Sequence, residues 1–139
     1  MLWIALGLVM QSGVLSAQDA AAGARFNAKA VLISARVVYL STQSYAGVTP
    51  KLLEERNPGL RILGDAPSTG PAVLSVQVLG PREFRIAVYG GKTCWGIQET
   101  GLRSAVATVY AKRDGLPRSC SAHSFKGSDF TNQEGEWWK

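Results

Sequence analysis

The sequence predicts an α+β fold in which a long N-terminal α-helix packs on a small antiparallel β-sheet head. Two patterns support this fold class. The first forty residues contain no proline and keep a helix-compatible spacing of apolar and small residues. After Pro71, apolar and polar residues alternate in short runs that are separated by glycine pairs or Gly-Pro. A chain of 139 residues is long enough for a single hydrophobic core.

We predict that the first element is one uninterrupted helix from residue 1 to about residue 40. At about 1.5 Å per residue it would span roughly 60 Å, about twice the hydrocarbon thickness of a bilayer. We therefore divide the chain into residues 1–24, which are committed to a membrane or a filament core, and residues 25–139, a globular head that includes the second half of the helix. The apolar residues assigned to the membrane or filament core are Leu2, Trp3, Ile4, Leu6, Leu8, Val9, Met10, Val14 and Leu15.

A cleaved secretory signal is the alternative interpretation of residues 1–17. The apolar run has a suitable length, and Ser16-Ala17 offers small residues to a peptidase. No Lys or Arg precedes the run, however, and the helix-compatible pattern continues well beyond it. Both facts favour the helix.

The second half of the helix carries an apolar stripe. Its members recur at spacings of three and four, which places them on one side of a helix: Phe26, Ala30, Ile33, Val37 and Leu40. A stripe of this kind is most often a packing surface. We therefore predict that it is the face that packs on the sheet.

The remaining elements follow from local signals. Thr49 as N-cap with Pro50 at the first helical position predicts a short helix, which Asn57-Pro58-Gly59 ends. Period-two alternation predicts half-buried strands at 73–79 and 83–89, followed by further strands at 93–99 and 104–110. The C-terminal pair Trp137-Trp138 is expected to tuck against the head or against a neighbouring molecule.

Cys94 and Cys120 lie outside any C-x-x-C pattern, and His123 is the only histidine. These residues are too few for a typical zinc site. We predict a Cys94–Cys120 disulfide, which would stabilise the fold by about 3.5 kcal/mol in the chain-entropy model. Two buried free thiols are the alternative.

Charge and motifs argue against two functional classes. The net charge is +5, but the Lys and Arg residues form no continuous run, so nucleic acid is not expected as the primary ligand. A hydrolytic triad would need His123 beside Ser121 or Ser124 and a carboxylate, yet neither a G-x-S-x-G elbow nor a phosphate loop is present. We expect neither catalysis nor a cofactor.

The order of these parts resembles the type IV pilin family, in particular the pilin-like proteins of Gram-positive bacteria. The matching residues are Asn27-Ala28-Lys29, Ser34-Ala35, Tyr39, Ser44-Tyr45-Ala46-Gly47-Val48-Thr49, Leu53, Asn57-Pro58-Gly59, Cys94-Trp95-Gly96-Ile97-Gln98 and Cys120-Ser121-Ala122. The resemblance implies a structural subunit that waits in the cell membrane and then joins identical subunits in an extracellular helical homopolymer. The chain departs from the family at Ala5, where members have a glutamate, and it shows neither the basic leader nor the usual helix-breaking proline.

Two alternatives remain. A pseudopilin of a type II-like secretion system would share the same architecture. A secreted or membrane-tethered monomeric binding module would use the helix only as an anchor. A plain anchor needs about 20 apolar residues, whereas this run becomes polar and alanine-rich after about ten, which favours a packed helix bundle over an anchor.

Overall fold

The computed structural model describes residues 16–64, 66–103, 105–115 and 119–139. The elements are α1 (Ala17–Thr42), α2 (Pro50–Arg56), β1 (Arg61–Leu63), β2 (Val73–Gly80), β3 (Glu83–Gly90), β4 (Thr93–Gly101), β5 (Val106–Asp114) and α3 (Glu134–Trp137). The strands form a sheet in the order β1-β2-β3-β4-β5. The α+β class is confirmed, but the expectation of a purely antiparallel sheet is wrong because β1 pairs with β2 in parallel.

The helix α1 begins later than the sequence predicted. Ser16 is extended and caps the helix, and its Oγ accepts a hydrogen bond from the Asp19 backbone N–H at 3.1 Å. The prediction of an uninterrupted helix through this point is therefore wrong, because the chain is extended at Ser16. A serine N-cap with Asp19 in the first turn is a favourable helix N-terminus. The helix ends at Thr42, close to the predicted end at about residue 40, with Gln43 in the left-handed conformation. Residues 1–15, with the nine assigned to a membrane or filament core, lie outside the described part of the chain.

The short helix and the meander agree with the local signals. Thr49 caps α2 through a bond from the Leu52 N–H, with Pro50 at the first position. In the β2–β3 pair, Leu74 lies opposite Val88 and Val76 opposite Ile86. These side chains are all buried, whereas Val78, which continues the same alternation in β2, is 38% exposed.

Both faces of the sheet are covered, although the sequence indicated half-buried strands. α1 packs on one face through a core that includes Leu32, Phe84 and Ile97. On the other face the C-terminal segment contributes Cys120 and Phe125 to a second buried cluster. Polar residues of the second face are buried as a result. Ser75 is one of them, and its Oγ accepts a hydrogen bond from the Ala122 N–H at 3.0 Å.

The helix approaches the sheet most closely at the β3–β4 turn. A Cβ atom at Gly90 would collide with the Ala20 carbonyl and with the Ala24 side chain, and one at Gly91 would collide with Ala17 and Ala21. Only glycine facing alanine permits this separation. The contact between α1 and the head therefore begins at Ala17. This residue belongs to residues 1–24, which we had assigned to a membrane or a filament core.

Candidate assembly surface

The apolar stripe that we predicted to pack on the sheet lies on the opposite side of α1. Relative exposure is 70% for Phe26, 58% for Ile33, 47% for Val37 and 48% for Leu40. Ala30, between them, is half-buried. The helix-to-sheet assignment of these five residues is wrong, and we call them the outer face of α1.

The side of α1 that packs on the sheet is built mainly of smaller residues. This inner face consists of Ala24, Ala28, Val31, Leu32, Ala35 and Tyr39, which are all buried. At about 100° per residue, the two faces are centred roughly 180° apart. Near its N-terminus the helix is held at this side by the narrow gap above Gly90 and Gly91, which accepts alanine and excludes larger side chains. Towards its C-terminus the inner face buries Tyr39, whose ring packs against Gly101.

One flank of α1 is fixed by a buried carboxylate. Glu99 of β4 is fully buried and accepts a hydrogen bond from Arg36 Nη2 at 2.6 Å and from the Tyr45 hydroxyl at 2.7 Å. Thr108 donates to the same carboxylate at 3.2 Å. The bond to Glu99 raises the pKa of Arg36 above its ordinary value. Burial, and then the bond to Glu99, raises the pKa of Tyr45.

The opposite flank is held by amide hydrogen bonds. Asn27 Nδ2 donates to the Pro71 carbonyl at 2.7 Å, and Asn57 Nδ2 donates to Ser34 Oγ at 3.1 Å. With both flanks bonded to the head, the helix cannot rotate about its axis without breaking several polar contacts. The outward direction of Phe26 and Ile33 is therefore a fixed property of the fold.

A basic and aromatic cleft lies at the N-terminal end of α1. The Arg25 guanidinium is 4.6 Å from the ring centroid of Trp95 and 5.6 Å from that of Trp138. These residues line a cleft of about 490 Å³ together with Ala17, Gln18, Ala21, Gly91, Thr93, Lys112, Asp114 and Lys139. We call it the N-terminal cleft. The sequence did not indicate it, because it depends on the pairing that places Lys112 opposite Trp95.

The remaining predicted residues are placed as follows. Cys94 and Cys120 form a disulfide with a Cα–Cα distance of 5.2 Å, as predicted. Trp137 is buried against the head, where its Nε1 donates to the Ala111 carbonyl at 3.0 Å, whereas Trp138 is exposed. In the part of the chain that the structure describes, no three His, Cys, Asp or Glu residues are grouped to hold a metal ion, and no helix is both long and apolar enough to span a bilayer.

Comparison of the chain with protein-family models, with curated proteins and with solved structures found no match. The class that the structure itself defines is an α+β domain, with a five-stranded mixed sheet covered by one long helix and by a disulfide-linked C-terminal segment.

Proposed function

We propose that the protein is a structural subunit of a type IV pilus-like surface filament, in which identical subunits associate through α1 and the apolar segment that precedes it. The observation that carries the proposal is the outer face of α1. Large apolar side chains are exposed there along one line of a helix whose opposite side is already packed. Such a contiguous apolar surface is typical of an interaction site.

The dimensions of the outer face suit a helical partner. From Phe26 to Leu40 it extends over about 21 Å of helix, at 1.5 Å per residue. Residues 1–15 of a second copy are a partner of matching chemistry, since they contain no charged residue and are predominantly apolar. Association of these two surfaces would remove apolar area of both copies from water at about 25 cal/mol per Å².

The disulfide supports the proposed location outside the cytoplasm. Disulfides persist in oxidising compartments and are rare in the cytosol of most organisms. The Cys94–Cys120 bond ties the C-terminal segment to the sheet. A head that is stapled in this way suits a cell-surface filament better than a cytosolic protein.

Electron microscopy of the full chain, expressed in a cell that assembles it, tests the proposal. We expect filaments of constant diameter from the wild-type chain. The double variant Ile33→Gln, Val37→Gln should give none, because two polar side chains interrupt the outer face while the inner face stays intact.

The matched control is the double variant Lys51→Gln, Glu55→Gln, which changes two exposed residues of α2 and should assemble normally. Monodisperse small particles from the wild-type chain would contradict the proposal and favour the monomeric binding module. Filaments from the Ile33→Gln, Val37→Gln chain would show that the outer face is not the assembly surface.

A further inference from the structure

The N-terminal cleft lies where the apolar part of the chain joins the head. Ala17 and Gln18 line the cleft, and Leu15 is two residues before Ala17. Two residues of extended chain reach at most about 7 Å. The lining of the cleft therefore begins within that reach of the apolar segment of the sequence.

The charge of the cleft is unbalanced. Its lining contains the cations Arg25, Lys112 and Lys139 and one acidic side chain, that of Asp114, while the Glu136 carboxylate lies beside the two lysines. Asp114 accepts a hydrogen bond from Thr93 Oγ1 at 2.7 Å. Lys139 pairs with Glu136 at 2.7 Å. The Lys112 ammonium, in contrast, donates to a neutral group, the Glu136 carbonyl, at 3.2 Å.

Arg25 is positioned as a donor that lacks an acceptor. Its guanidinium rests against the rings of Trp95 and Trp138, which restricts its conformations. Its Nε is buried, and among the described residues it has no hydrogen-bond partner. A buried donor without an acceptor is costly, so the Arg25 side chain keeps unused hydrogen-bonding capacity beside the cleft.

We propose that the N-terminal cleft binds the phosphodiester headgroup of an anionic phospholipid. The inference rests on the proposed function, because it requires that residues 1–15 occupy a bilayer before assembly. Arg25 and Lys112 donate to the phosphate oxygens, for which guanidinium and ammonium groups are strong partners. Trp138, which is 42% exposed, lies at the headgroup level, where amphipathic indole rings concentrate at membrane surfaces.

A lipid headgroup explains the features better than a free acidic saccharide. The cleft adjoins the entry of the apolar segment, so the membrane brings the headgroups to it at high local concentration. The local concentration of a soluble saccharide is not raised by that position. In this role the cleft holds the head at a defined height above the anionic lipid surface.

Titration of the full chain in a nonionic detergent tests the proposal. Phosphatidylglycerol is added at constant detergent concentration, and the indole N–H signals of Trp95 and Trp138 are followed by NMR. We expect saturable shifts with phosphatidylglycerol and binding at least tenfold weaker with phosphatidylcholine. Lys112→Gln should weaken the phosphatidylglycerol affinity about fivefold, and Arg25→Gln combined with Lys112→Gln roughly 25-fold.

The control Lys51→Gln removes an exposed cation from α2 and should change the affinity less than twofold. Lys112→Gln gives an answer independent of Arg25, whose contact with Trp95 contributes to packing. Equal affinity for the two lipids would overturn the proposal. So would equally tight binding of inorganic phosphate, or tighter binding of an oligouronate, because the ligand would then not be a lipid.

The same variants are also examined for filaments. Filaments without selectivity for phosphatidylglycerol would leave the proposed function standing and remove the lipid site. Selective lipid binding by a chain that forms no filaments would do the opposite. The two proposals therefore fail in distinguishable ways.

Discussion

The two faces of α1 show that hydrophobicity and burial are separate properties. The inner face, rich in alanine, is completely buried, while the outer face carries Phe26, Ile33 and Leu40 in contact with solvent. If burial followed the apolar area of the side chains alone, the outer face would be buried and the inner face exposed. The close approach to Gly90 and Gly91 requires alanine on the inner side at Ala20 and Ala24. Further along the helix the inner face also buries the large side chains of Leu32 and Tyr39.

The largest expected effect comes from closing the gap beneath the inner face. Gly90→Ala places a methyl group against the Ala20 carbonyl, and backbone cannot move aside as a flexible side chain can. We expect a loss of about 3 kcal/mol in the free energy of unfolding, the upper part of the usual range for overpacking. Chemical denaturation of the full chain measures it.

Gly80→Ala is the matched control, because no atom lies within 4 Å of the added methyl group. It should change the free energy of unfolding by about 0.5 kcal/mol or less. Equal effects of the two substitutions would show that close approach does not determine which face of α1 is buried.

A smaller effect is expected at the flank that orients the two faces, and it depends on pH. Burial, followed by the bond to Glu99, raises the pKa of Tyr45 above its ordinary value of 10.0. The neutral phenol is thus favoured in the folded state. Its contribution to stability is complete below pH 10 and decreases as the pH rises above it.

Tyr45→Phe removes this contribution, because phenylalanine has no proton to lose. We expect the wild-type chain to lose stability between pH 9 and about pH 11 more steeply than the Tyr45→Phe chain. Thermal unfolding of both chains across that range measures the difference. Parallel pH profiles would mean that Tyr45 does not hold its proton more tightly in the folded state.

The smallest expected effect on stability belongs to the outer face. The Phe26 side chain is 70% exposed. Phe26→Gln should therefore change the free energy of unfolding of the unassembled chain by about 0.5 kcal/mol or less. Chemical denaturation in detergent, with Lys51→Gln as the control, measures it. A loss above roughly 2 kcal/mol would place Phe26 in the core and remove the contrast between the two faces.

The elements that the sequence predicted correctly are those specified by neighbouring residues. Thr49 and Pro50 define the start of α2, and alternation locates the strands β2 and β3. The disulfide followed from there being just two cysteines. β1 was missed, because three residues carry no periodicity and its parallel pairing with β2 is not a local feature.

The candidate surfaces depended on long-range contacts, and the sequence alone could not place them. The spacing of the outer face identified its members but not its direction, since the inner face has the same period. What separates them are glycines of the sheet that are distant in the sequence: Gly90 faces Ala24, and Gly101 faces Tyr39. The N-terminal cleft likewise combines α1, β4 and the C-terminal segment. The sequence did contain one signal for this contact. The alanines in the first turns of α1 and the Gly90-Gly91 pair are both small residues, and together they indicate a close helix–sheet approach.

The close contact between Ala24 and Gly90 also bears on the order of folding. During synthesis α1 emerges first, whereas the strands that cover its inner face, β3 and β4, begin only at Glu83 and Thr93. The antiparallel hairpins β2–β3 and β3–β4 join neighbours in sequence and so close short loops at low entropic cost, while docking of α1 closes a long one. We expect the meander to form before the helix docks. Until the helix docks, the inner face leaves Leu32 and Tyr39 in contact with solvent, so docking of α1 is the step that removes apolar surface from the reach of aggregation.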